Sequence, residues 1–144
     1  MKQLMLAMLV LPLVMAYGSA EETSWEDLNR RAVALNEQGQ HSEAIKLEEE
    51  ALQVAQEKFG YNNSRVGISL KNLAEFYLAQ GNSAEAESLF RRSLAILLMT
   101  YTRNHPAVVS VLHNLTVLFE NTDSEGEAAK KMEKLKKEVG DKTH

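Results

Sequence analysis

Leu70-Lys71-Asn72-Leu73-Ala74-Glu75-Phe76-Tyr77-Leu78-Ala79-Gln80-Gly81, followed shortly by Ala84-Glu85-Ala86-Glu87-Ser88-Leu89-Phe90-Arg91-Arg92-Ser93-Leu94, is the stretch that decides the fold. Leu70, Leu73, Ala74 and Tyr77 fall at helical spacing before Gly81, and Ala86, Phe90, Ser93 and Leu94 do so after it. The pattern predicts a helix, a turn and a second helix. Gly81 stands where a helix ends in a left-handed residue, a conformation that glycine adopts at little cost.

The same pattern recurs on both sides. Gly39 precedes Gly81 by 42 residues, and Leu28, Leu70 and Leu112 fall in one register. So do Ala32, Ala74 and Thr116; Ala44, Ala86 and Ala128; and Ala51, Ser93 and Leu135. Pro106 can open a helix, because its missing N–H is not needed in the first turn. Three repeats at about residues 25–66, 67–108 and 109–140 then predict six helices and no strands.

With Asn104-His105-Pro106, these segments resemble the tetratricopeptide repeat family in its longer, kinesin-light-chain-like variety. The family's usual unit is about 34 residues, so the period here lengthens each second helix and its connection. The resemblance implies an all-α, right-handed α-solenoid of three helix-turn-helix repeats. It also implies a non-enzymatic protein–protein interaction module without cofactor. The outer repeats depart from the pattern: Arg31 takes an apolar position, and Glu48 stands where the second repeat has Phe90. In the third, Lys136 and Glu138 answer Leu94 and Ile96, which reads as a solvated end cap with one apolar face at Ala128, Met132 and Leu135.

The 144 residues are 44% hydrophobic and 25% charged, with no cysteine and a net charge of −4, so disulfides and thiolate chemistry are excluded. The charge balance argues against a nucleic-acid partner. Residues 1–20, with Lys2, an apolar run from Leu4 to Tyr17 and Gly18-Ser19-Ala20, read as a signal peptide that leaves one domain over residues 21–144. The expectation is an exported bacterial protein, periplasmic or secreted, without membrane insertion after cleavage.

No HExxH, phosphate-binding glycine loop or GxSxG elbow occurs, so catalysis has no sequence support. His113 and Glu120 share a helix face and could hold a metal with Glu75, although a lone histidine is more ordinary as a polar surface residue. If Leu70, Leu73, Ala74 and Tyr77 face the neighbouring helix, the opposite side becomes a groove. It would present Asn29, Arg30 and Val33, then Lys71, Asn72, Glu75 and Leu78, then His113, Asn114 and Val117. The resemblance implies that Asn72 and Asn114 grip the backbone of an extended peptide, for which a carboxamide offers both donor and acceptor. Arg30 favours a carboxylate at one end of that ligand. A second expectation concerns Leu97 and Leu98, at positions that related repeats keep polar. If exposed, they form an apolar patch fit for a homodimer.

Overall fold

The computed structural model describes residues 23–122 and 124–141. The expected signal segment 1–20 lies outside them. Six helices follow in order: α1 (Trp25–Glu37), α2 (His41–Phe59), α3 (Ser64–Ala79), α4 (Ser83–Thr100), α5 (Pro106–Thr122) and α6 (Glu125–Asp141). They form three antiparallel pairs stacked in one direction, an all-α solenoid without strands among the described residues.

Local chemistry sets the boundaries. Ser24 caps α1 by accepting from the Asp27 N–H at 3.1 Å, with Glu26 and Asp27 in the positive first turn. Asn63 caps α3 by accepting from Arg65 N–H at 2.9 Å, and Asn82 stands at the same place before α4. Gly39 and Gly81 have φ of 80° and 81°, which lets the chain reverse within each pair. Gly60 has φ 87° and ends α2, a role the sequence reading did not assign to it.

The core runs the length of the stack. Leu28, Leu70, Phe76, Phe90, Val108, Val111, Leu115 and Phe119 are all buried, as are Ala44 and Ala86. These eight large side chains contribute about 12 to 24 kcal/mol at roughly 1.5 to 3 kcal/mol each. α3 and α4 pack tightly at Gly67, whose carbonyl accepts from Ser93 Oγ at 2.6 Å. A Cβ at Gly67 would stand 2.8 Å from Leu97 Cδ2.

That contact corrects one expectation. Leu97 is 0% exposed and Leu98 is half-buried against the core, so the two do not form the outward apolar patch expected for a homodimer. The longer second helix turns these residues inward, and the missing side chain of Gly67 makes the room. The end cap also differs in detail: α6 buries Leu135 and Val139, while Ala128 and Met132 are only half-buried. Among the described residues no helix is long and apolar enough to cross a membrane.

Candidate binding face

The first helices of the three pairs lie side by side, tied by polar contacts. Trp25 Nε1 of α1 donates to Ser69 Oγ of α3 at 2.8 Å. Arg65 Nε of α3 donates to Glu26 of α1 at 3.1 Å. Ser110 Oγ of α5 reaches Glu75 Oε1 of α3 at 3.4 Å. The residues expected to line a groove therefore share one face, but not all of them are available to a ligand.

Asn72 is 5% exposed, and its Nδ2 donates to Asn29 Oδ1 at 2.6 Å. It spends a donor on its own fold, and this departs from the expectation of a free peptide clamp. The half-buried Asn114 donates to the Ser110 carbonyl of its own helix at 3.0 Å, which leaves its carbonyl oxygen outside that bond. Val33 and Leu78 are half-buried against the core, whereas Val117 is 36% exposed. Arg30 is open to solvent and paired with Asp27 at 2.5 Å within its own helix. Lys71 and Glu75 form a part-buried ion pair at 3.1 Å, and His113 is exposed beyond them. Among the described residues no three His, Asp or Glu side chains gather as a metal site, and His113, Glu120 and Glu75 do not come together as one.

Beneath this face lies a group that the sequence reading treated only as a defect. Glu48 of α2 is 0% exposed, and neither carboxyl oxygen makes a hydrogen bond of good geometry. Burial pushes its pKa from 4.5 up to about 7, and the charge of Glu75 pushes the same way. Ser69, Asn72 and Lys71 oppose the rise in part. Their hold is weak because Ser69 Oγ is engaged with Trp25 and Asn72 with Asn29. Sequence did carry the signal for this residue: a glutamate at the register of Phe90 has to be buried, and a buried carboxyl tends to keep its proton.

Helix pairs in register, glycine turns and a shared face of first helices define a helical repeat protein. The chain belongs to the tetratricopeptide repeat family, whose profile it matches over residues 27–99 and 65–134. It is also similar to a clustered mitochondria protein homolog from Lodderomyces elongisporus, 28% identical over 111 residues. That alignment covers 77% of this chain and 8% of the relative, so the chain spans a small part of the protein it matches. The likeness to a eukaryotic protein overturns the expectation of an exported bacterial one, periplasmic or secreted. An N-terminal apolar run by itself did not distinguish the two. As a tetratricopeptide repeat domain, the chain is a protein–protein interaction module.

Proposed function

We propose that the chain, without catalysing a reaction, holds an extended peptide segment of a protein partner along the face of α1, α3 and α5. The observation that carries this reading is the alignment of Arg30, the Lys71–Glu75 pair, His113, Asn114 and Val117 on one face, over helices whose mutual contacts fix their spacing. The surface is polar and preformed, with one exposed valine, so it suits a segment with an acidic residue towards Arg30 or Lys71 and an apolar residue over Val117. A three-repeat surface is short, and an affinity near micromolar corresponds to about −8 kcal/mol.

The test is selection of peptides from a random displayed library on the folded chain, followed by titration against Arg30→Glu/His113→Glu. Both substituted residues are exposed, so the variant keeps the fold. Peptides enriched in acidic residues that bind the variant at least about tenfold more weakly, a loss of about 1.4 kcal/mol, support the proposal. Peptides that bind both proteins equally, or no enrichment at all, refute it.

A further inference from the structure

The repeat itself shows what belongs on its last surface. In the second pair, Leu70 and Ala74 of α3 face Phe90, Ser93, Leu94 and Leu97 of α4, and each of the six is 3% exposed or less. That cleft is closed by the third pair, with α5 lying along α3 and α4. The cleft of the first pair is closed in the same way by α3, through Ser69 to Trp25 and Asn72 to Asn29. Moving the six positions on by 42 residues gives Leu112 and Thr116 of α5 and Met132, Leu135, Lys136 and Val139 of α6. All six line a cavity of about 230 Å³, joined by Arg103 from the preceding turn. Where the first two clefts hold a helix, the third holds a cavity.

We propose that the cleft between α5 and α6 is a second interaction surface, which receives an amphipathic, acidic helix from another protein. The form of the occupant follows from the two helices already seated on equivalent clefts. α3 buries Val66, Ser69, Leu73 and Phe76, and α5 buries Val108, Val111, Leu115 and Leu118, the same row at i, i+3, i+7 and i+10. A third helix seated in this way presents that row to Leu112, Met132 and Val139.

The sign of its charge follows from the substitutions at the rim. Arg103 stands at the register of Tyr61, and Lys136 at that of Leu94. Both are exposed beside the cavity. The complement is a helix with Glu or Asp flanking its apolar row. A second copy of this chain is a poor match. Its exposed acidic strip on α2, with Glu49, Glu50 and Glu57, borders only Leu47 and Val54, which are already packed against their own core.

The experiment uses the full chain and two designed alanine-based peptides of the length of α3, each with the apolar row of α5 and a fluorescent label. One carries glutamates beside the row, the other lysines, and binding is read by fluorescence anisotropy. The glutamate peptide is expected to bind at least about tenfold more tightly, a difference of about 1.4 kcal/mol. Arg103→Glu/Lys136→Glu should reverse that preference, and Thr116→Phe, which fills the cleft, should abolish binding while the circular dichroism spectrum stays helical. Arg30→Glu, exposed on α1 at the opposite end of the stack, should leave the titration unchanged. Equal binding of the two peptides, indifference to the Arg103/Lys136 variant, or absence of binding overturns the proposal. So does loss of binding in the Arg30 variant, which would place the peptide on the α1–α3–α5 face. A chain that sediments as a dimer and is dissociated by the glutamate peptide would make the cleft an interface between copies, and that too overturns it.

Discussion

Asn72 of α3 donates to Asn29 of α1 at 2.6 Å, across 43 residues of sequence, from a position that is almost fully buried. A residue type suited to gripping a ligand's backbone is here used to hold one repeat against the next. Truncating it leaves the Asn29 carbonyl without that donor beneath the surface, and takes away a dipole that favours the ionised form of Glu48. Asn72→Ala should therefore cost about 1 to 3 kcal/mol of unfolding free energy. Asn114→Ala removes only a bond to its own helix and should cost less than about 1 kcal/mol. Urea denaturation of both variants checks the pair, and equal losses would show that the interhelix bond is not what holds Asn72.

Leu97 fits against the bare backbone of Gly67, with a Cβ there standing only 2.8 Å from Leu97 Cδ2. Leu97→Ala should cost about 2 to 5 kcal/mol, as expected for a fully buried leucine. Gly67→Ala gains up to about 1 kcal/mol of helix propensity but overpacks this contact, at about 1 to 3 kcal/mol. The two changes should compensate, because shortening Leu97 clears the space that the new methyl needs. A double-mutant cycle by chemical denaturation should show the pair to be less destabilising than the sum of the singles. Strict additivity would mean that the helices separate instead of clashing.

The architecture was legible because its signals are periodic and local. Leu28, Leu70 and Leu112 in one register, with Gly39 and Gly81 between helices, are enough to place six helices. What escaped the sequence was the rotation of those helices about their own axes. Leu97 and Leu98 read as outward because related repeats keep those positions polar. Their true environment depends on Gly67, thirty positions away, which no local periodicity reports. Asn72 was placed on the correct helix face, but its burial depends on Asn29 and on the glutamate beneath it. Long-range hydrogen bonds of this kind leave no spacing signature.

Trp25 is the sole tryptophan, and its indole N–H donates to buried Ser69 at 2.8 Å. Its fluorescence therefore reports directly on the α1–α3 junction. Ser69→Ala orphans a buried donor and should destabilise the chain by about 1 to 3 kcal/mol. The native emission maximum should also shift as the indole loses its partner. An unchanged spectrum with unchanged stability would show that the indole finds another acceptor at no cost.

Glu48 gives the protein a pH dependence whose sign can be worked out. Burial raises its native pKa to about 7 from 4.5, so between those values the folded chain holds a proton that the unfolded chain has released. The unfolded state then binds fewer protons, and stability falls as pH rises through this window. Below pH 4.5 the protonated carboxyl is present in both states; above about 7 the ionised form is present in both, and the burial penalty is felt in full. A rise from 4.5 to about 7 corresponds to about 3 kcal/mol. Glu26 works in the opposite sense. Its pKa is lowered by its own backbone hydrogen bond and by Arg65, so its contribution is lost as pH falls in the acid range. Comparing wild type with Glu48→Gln cancels that common background and isolates the buried group. The variant should be more stable than wild type at pH 8, with the gap closing as pH drops towards 5. Parallel profiles for the two proteins would mean that Glu48 is ionised throughout, with its charge met by a partner.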